Sequence, residues 1–457
     1  MQIKKDLRPK IHYTPERNWM NDPNGMICIN GQYHLFYQNN PDADVWGPMN
    51  WGHAVSSDLI HWNHLPIALK PDELGYIFSG SCVLDKENLS GLGTKENPPL
   101  IAIYTSHNHE NGTEVQSIAY SLDYIHFTKY ADNPIISNPG IKDFRDPKVF
   151  YSSDGKGFCL AIAAYDRIMF YRSDNLISWT ESGEFLLEKN NGFTGIAECP
   201  DCFCVDSPIG KKWILIVSMI INPEDHLKVF HKTQYFIGDF DGNTFISSEK
   251  MTEPLLLNYG MDYYAAVSFS NSSRPIVLGW ADNWAYANKT PSRGYRGQMS
   301  LATEVSLIET KKGLRISNQP LGLDILENAA EKFEKHVALT SQSFGLLIQG
   351  IGRVRIKIYN LEQEEFVMTV DDSQIMVDRT HAGQTEFDEQ FKKEMNGIVN
   401  AERFTTGEYD IRVIFDVSIF EIYAENGLIP ISMTVYPEHP YTDVIVEGIA
   451  KTEIFQL

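Results

Sequence analysis

Asn18 to Gln38 reads NWMNDPNGMICINGQYHLFYQ. Its second half, GQYHLFYQ from Gly31, is a short apolar strand introduced by Gly, and immediately before it lies another strand, DPNGMICIN from Asp22. The pair recurs four more times. PLIAIYTS from Pro99, KGFCLAIAAYD from Lys156, KKWILIVSM from Lys211 and SRPIVLGWAD from Ser273 repeat the second strand, with successive starts 68, 57, 55 and 62 residues apart counted from Gly31. FSGSCVLD from Phe78, FRDPKVFY from Phe144, AECPDCFCV from Ala197 and DYYAAVSFS from Asp262 repeat the first. A third element lies between them: SSDLIHW ending at Trp62, SLDYIHF at Phe127, SDNLISW at Trp179 and, more loosely, GDFDGNTF at Phe245, each reading as an outer hairpin that closes its repeat. Strand-rich units of this length, with no sustained helical period, cannot bury both faces alone and must pack on neighbours around an axis. Five repeats predict a five-bladed β-propeller. The alternative, an open array of β-sandwiches, leaves sheet edges to cover.

From about Glu331 the pattern changes. RVRIKIYN, EEFVMTV, SQIMVDRT and YDIRVIFDVSIFEIYAENG alternate as half-buried antiparallel strands, and PLGLDILENAAEKFE before them reads as a short helical linker. The predicted chain is all-β: a five-bladed β-propeller over residues 1–318, a linker over 319–330 and a β-sandwich over 331–457.

Composition narrows the function. In 457 residues, 39 basic against 60 acidic side chains give a formal charge of −21, which repels nucleic acid and anionic membrane and favours a neutral or cationic ligand. The N-terminal MQIKKDLRPKIHYTPERNW lacks an apolar h-region, and no run of 18 apolar residues occurs, so a soluble, cytoplasmic protein is expected. Six cysteines do not make a disulfide framework in a chain this size. Cys199, Cys202 and Cys204 lack the second half of a zinc site, and Cys202 and Cys204 are expected on one strand face as small apolar residues. No metal or cofactor is predicted.

Asp22-Pro23-Asn24-Gly25 alone is a good turn. The repeats argue for more. The first strand of a propeller blade lines the central channel, and Asp22, Asp146 and Glu198 stand at the entrance of that strand in repeats one, three and four, at equivalent positions that converge on one axis. Asp22 and Asp146 directly precede Pro and Glu198 lies two before Pro200, which holds each entrance extended and stiff. Three converging carboxylates beside Arg145 are costly for stability, and this points to chemistry. Sugar hydrolysis needs such a set: two carboxyls about 5 Å apart for a retaining mechanism, and a third to hold sugar hydroxyls as charge develops. Trp19, Trp46, Trp51, Phe78 and Trp284 offer apolar faces, while Asn21, Gln38 and Ser79 offer hydroxyl partners.

NWMNDPNG, FRDP and ECPD in this order, with WGHAVSSDLIHW and FSGS between the first two, resemble glycoside hydrolase family 32, the β-fructofuranosidases, over nearly the whole chain. The resemblance implies Asp22 as nucleophile, Glu198 as general acid and base, and Asp146 with Arg145 as transition-state stabiliser. LNYGMDYYAAVSFSN and GWADNWAYANKTPS are similar to exo-acting levanases and inulinases. Two departures bear on substrate preference: Ala197 stands where an aromatic is expected, and LATE over 301–304 replaces LPRE. DRTHAG and DVSIFEIYAENG resemble the family's C-terminal module, a support or a sugar-binding face. The leading expectation is a retaining exo-β-fructofuranosidase acting on fructo-oligosaccharides, fructans or sucrose. A sucrose-6-phosphate hydrolase, with Lys289, Arg293 and Arg296 as candidate phosphate ligands, a fructosyltransferase and a non-catalytic sugar-binding propeller stand as alternatives.

Overall fold

In the computed structural model, which describes residues 6–152, 155, 157–223, 230–248 and 253–457, the repeats are antiparallel sheets. Lys156, where the third repeat of the second strand was placed, lies outside the described residues. The first blade holds β1 (Asn18–Ile29), β2 (Gln32–Asn40), β3 (Asn50–Ser56) and β4 (Asn63–Leu69). The second holds β5 (Tyr76–Leu84), β6 (Leu100–His107), β7 (Glu114–Ser121) and β8 (Thr128–Lys129). The third holds β9 (Phe144–Tyr151), β10 (Phe158–Ala164), β11 (Arg167–Ser173) and β12 (Thr180–Leu186). The fourth holds β13 (Gly195–Ser207), β14 (Gly210–Ile221), β15 (Phe230–Phe240) and β16 (Phe245–Ser247), with β17 (Leu255–Leu256) against β15. The fifth opens with β18 (Tyr264–Ser268) and β19 (Ile276–Trp280).

The inner strands form a closed ring: β1 packs on β5, β5 on β9, β9 on β13, β13 on β18, and β18 on β1. Side chains tie neighbours together across the ring. The Ser81 hydroxyl donates to the Pro147 carbonyl at 2.8 Å and accepts from the Val149 N–H at 2.9 Å, while the Ser270 N–H donates to the Met26 carbonyl at 2.9 Å. Apolar faces of successive blades supply the core. Phe170, Phe185, Phe236 and Phe245 fill the space between blades three and four, and Ile103, Phe144, Leu160 and Ile162 that between two and three.

The recurring outer units are turns of one design. Leu59, Tyr124 and Leu176 take the left-handed backbone at φ 69°, 65° and 65°. One residue before each, Asp58, Asp123 or Asn175 accepts two backbone N–H bonds of 2.7–3.0 Å through its Oδ1. Trp62 and Trp179 then donate their indole N–H to the carbonyls of Leu59 and Leu176.

In the C-terminal sandwich one long strand, Ser343–Tyr359, serves both layers. Ser343–Gly350 pairs with Tyr409–Asp416, and Val354–Tyr359 pairs with Glu365–Val370. The change of partner falls where Ile351 to Arg355 slip register against Asp443–Gln456, at Gly350-Ile351-Gly352, with Gly352 at φ 67°. Phe344, Ile356, Phe366, Phe415 and Phe420 fill the space between layers. The expected helical linker contains a helix over Asp324–Glu327.

The chain divides into two compact units, one of residues 15–257 and 264–280, the other of 1–14, 258–263 and 281–457. Within the second, buried His12 anchors the N-terminal segment, its Nδ1 2.9 Å from Asp416 Oδ2 and its Nε2 3.2 Å from Glu421 Oε2. Burial alone lowers the pKa of this imidazole, but the hydrogen bonds and charges of the two acids raise it from 6.5 to about 9. The folded value exceeds the unfolded one, so the stabilisation, about 3 kcal/mol, is complete below about pH 6.5 and is lost as pH rises through about 9. Thermal melts of the wild type across pH 6 to 9.5 are expected to show this fall, and His12→Gln to flatten it while lowering Tm at pH 6. Parallel profiles for the two proteins argue against a charged His12.

Candidate active site

All five inner strands carry a β-bulge at the same level. Between Met20 and Pro23 of β1, Ile77 and Gly80 of β5, Arg145 and Lys148 of β9, Glu198 and Asp201 of β13, and Tyr264 and Val267 of β18, one extra residue is inserted against the partner strand. Asp146, Cys199 and Ala265, each the first residue inside its bulge, have φ of 63°, 45° and 52°, the left-handed region that L side chains seldom enter. This corrects the expectation of equivalent positions. Asp22, Asp146 and Glu198 do lie on the inner strands of blades one, three and four, but Glu198 matches Arg145 and Tyr264 in register, Asp146 matches Asn21 and Cys199, and Asp22 matches Ser79. An extra residue breaks the two-residue alternation, so adjacent residues, and not every second one, turn into the same space.

The bulges bring the three acids together. Asp22 Oδ2 accepts from the Ser79 hydroxyl at 2.6 Å and Oδ1 from Asn21 Nδ2 at 3.1 Å. Asn21 is itself held by the Trp19 indole N–H at 2.7 Å. Asp146 Oδ2 accepts from the Cys199 N–H at 2.9 Å, and the Cys199 thiol lies 3.5 Å from both Asp22 Oδ2 and Asp146 Oδ2, so these two oxygens are no more than twice that distance apart. Glu198 Oε1 accepts from Arg145 Nε at 3.2 Å and Nη2 at 3.1 Å, and its Oε2 from the Tyr264 hydroxyl at 2.6 Å. Thr105 Oγ1, accepting the Asp146 N–H at 3.0 Å, pins the strained backbone.

Burial raises the pKa of all three carboxyls. It does so for Asp22 against the hydrogen bonds of Ser79 and Asn21, for Glu198 against Arg145, and for Asp146 against Arg145 with Glu198 and Asp22 adding to the rise. Burial works against the Arg145 charge, but Glu198, Glu114, Asp146 and Asp143 hold it protonated. Three crowded carboxyls, with Arg145 beside only Glu198 and Asp146, favour keeping a proton in the cluster, the condition a general acid requires. Because they interact, the protons belong to the cluster and not to single residues.

Of the other predicted side chains, Gln38 is buried and donates from Nε2 to Asn24 Oδ1 at 2.7 Å. Phe78 is half-buried, and Trp46, 42% exposed, meets it edge-on at 6.3 Å. Trp51 is wholly buried and donates its indole N–H to the Phe78 carbonyl, a core role. Trp284 is half-buried and belongs to the second compact unit. Cys202 is buried but Cys204 is exposed, since β13 runs out toward solvent at its far end. Sequence reasoning passed over Tyr264 and Glu114. The DYYAA segment reads as a repeat strand and as part of a levanase- and inulinase-like stretch, neither of which singles out Tyr264; its place in register with Glu198 is set by the bulges.

A closed propeller with a buried acid cluster at the level of its inner bulges defines a glycoside hydrolase. The chain belongs to the glycosyl hydrolases family 32, whose N-terminal domain matches residues 12–320 and whose C-terminal domain matches residues 291–454. It is 39% identical to a levanase of Bacillus subtilis (strain 168) over 484 aligned positions, covering 95% of this chain and 70% of that one. It is 31% identical to an extracellular exo-inulinase of Aspergillus awamori, covering 97% and 92%. The crystal structure of exo-inulinase from Aspergillus awamori superposes with a TM-score of 0.88 at 27% identity over 100% of this chain and 99% of that one. A β-fructofuranosidase from Schwanniomyces occidentalis complexed with fructosyl-erythritol gives 0.86 at 28% over 99% and 98%.

Proposed function

We propose that this protein is a retaining exo-β-fructofuranosidase that releases terminal non-reducing β-D-fructofuranosyl units from fructo-oligosaccharides, fructans or sucrose. The observation that carries the reading is the meeting of Asp22 and Glu198 from different blades in one buried cluster, each carboxyl oriented by its own donors. The names of the levanase and exo-inulinase relatives support the substrate class. In the proposed sequence Asp22 attacks the anomeric carbon while Glu198 protonates the departing glycosidic oxygen. Glu198 then takes a proton from the water that breaks the fructosyl ester and restores Asp22. Asp146, held rigid by Cys199 and Thr105, accepts from sugar hydroxyls in bonds that strengthen as positive charge develops on the ring.

A preference for phosphorylated sugar needs unspent cations. Lys289 is 2.7 Å from Asp388, Arg296 Nε donates to the Thr290 carbonyl, and with Arg293 they belong to the unit that does not hold the acids. Initial rates on sucrose, sucrose-6-phosphate, kestose, inulin and levan, with products resolved, test the reading. kcat/KM for sucrose-6-phosphate is expected not to exceed that for sucrose or kestose, and fructose is expected as the released unit. A tenfold preference for the phosphorylated sugar, abolished by Arg293→Ala or Arg296→Ala, points to the phosphate-specific alternative. A charge-assisted contact to Arg is worth roughly 1.5–3 kcal/mol, or about 10- to 150-fold.

A further inference from the structure

Glu114 opens β7 directly across from His107 on β6 and is 2% exposed. The sugar chemistry above does not use it. Its Oε1 accepts from Arg145 Nη1 at 3.0 Å and lies 3.3 Å from His107 Nδ1, and its Oε2 lies 3.3 Å from the same Arg145 nitrogen. Arg145 turns its Nε and Nη2 to Glu198. One guanidinium therefore spans Glu114 and Glu198, with Asp143 Oδ1 as a further acceptor 2.7 Å from Nη1. A planar fork bonded on both sides cannot turn without losing one set of bonds. The His107 ring is fixed in turn by stacking on Phe78 at 4.2 Å and 6°.

We propose that Glu114 is a positioning residue for the acid and base group: it holds the far arm of Arg145, and its charge offsets that of the guanidinium, setting how firmly Glu198 keeps its proton. The inference rests on the reading of Glu198 as general acid and base. The charged and titratable groups around this circuit are His107 on β6, Arg145 and Asp146 on β9, Asp143 just before it, Glu198 and Cys199 on β13, Asp22 on β1 and Tyr264 on β18. Burial opposes ionisation of Glu114, but His107 and Arg145 hold its carboxyl below the usual range and so favour its charged form.

Glu114→Gln keeps the shape and an acceptor for Arg145 but removes the charge. Glu198 then feels more of the guanidinium and gives up its proton at lower pH. The alkaline limb of kcat/KM on sucrose is expected to move toward acid by roughly 0.5–1.5 pH units, with KM at the plateau within about twofold of wild type. Glu114→Asp keeps the charge but withdraws it by one methylene. It is expected to lower plateau kcat several-fold and to move the limb less than half as far. A limb that stays in place or moves toward alkali in Glu114→Gln overturns the proposal. If that variant does not fold, an unchanged plateau and limb in Glu114→Asp overturns it. Glu198→Gln is run beside them: if it stays active, the reading of Glu198 fails, and if it is inactive while the Glu114 variants match wild type, only the positioning role fails.

Discussion

Asp22→Asn is expected to lower kcat on sucrose or inulin at least about a thousandfold while leaving the fold intact. An amide cannot add to the anomeric carbon as a carboxylate does, so in the proposed mechanism the covalent step loses its nucleophile. The change is nearly isosteric, and the amide oxygen still accepts from the Ser79 hydroxyl or Asn21. It also removes one of three clustered acids, one whose charge pushes up the pKa of Asp146, so Tm is expected to equal or exceed that of the wild type, because functional sites that concentrate like charge do so at a cost in stability. Steady-state kinetics and a thermal melt on one preparation check both halves. More than a tenth of wild-type turnover in the folded variant removes Asp22 from the nucleophile role.

Glu198→Gln is expected to have a loss of similar size on natural substrates, but one that depends on the leaving group. The departing sugar hydroxyl is a poor leaving group and needs a proton, which the proposed mechanism draws from Glu198, whereas an aryl fructoside with an acidic phenol does not. On p-nitrophenyl β-D-fructofuranoside the first step is expected to survive, so a burst of nitrophenol precedes slow turnover, and added azide, which needs no general base, is expected to raise the steady rate. Arg145 and Tyr264 can still hold the amide in place of the carboxylate, so the geometry is kept. Equal losses on sucrose and on the aryl fructoside, with no response to azide, assign the acid to another group.

Asp22, Asp146 and Glu198 are legible because each stands beside Pro or two before it, in a repeat unit that can be counted along the chain. The ring of inner strands and the three Asp- or Asn-led outer turns follow from the same repeats. Tyr264 and Glu114 are not legible in this way. Tyr264 is 66 residues from Glu198, and Glu114 is 31 from Arg145. Neither Tyr in a strand nor Glu at the start of one is unusual. What distinguishes them is the partner that each blade presents to the next, and that is a property of the closed ring.

By itself the sequence determined the all-β architecture, the number of blades and the placing of Asp22, Asp146 and Glu198 on inner strands, since hydrophobic period, strand length and Pro placement act locally and are written residue by residue. Only the tertiary structure decided how the acids face one another. A bulge inserted in every inner strand shifts the direction of each side chain after it, and this placed Asp22, Asp146 and Glu198 at three different register positions instead of one. It likewise decided that residues 1–14 group with the C-terminal sandwich residues, through His12 and its two buried acids more than 400 residues away. The physical reason is the same in both cases. A buried charge is stable only beside a partner that compensates it, and which partner lies within 3 Å is set by the packing of distant segments, which no local pattern encodes.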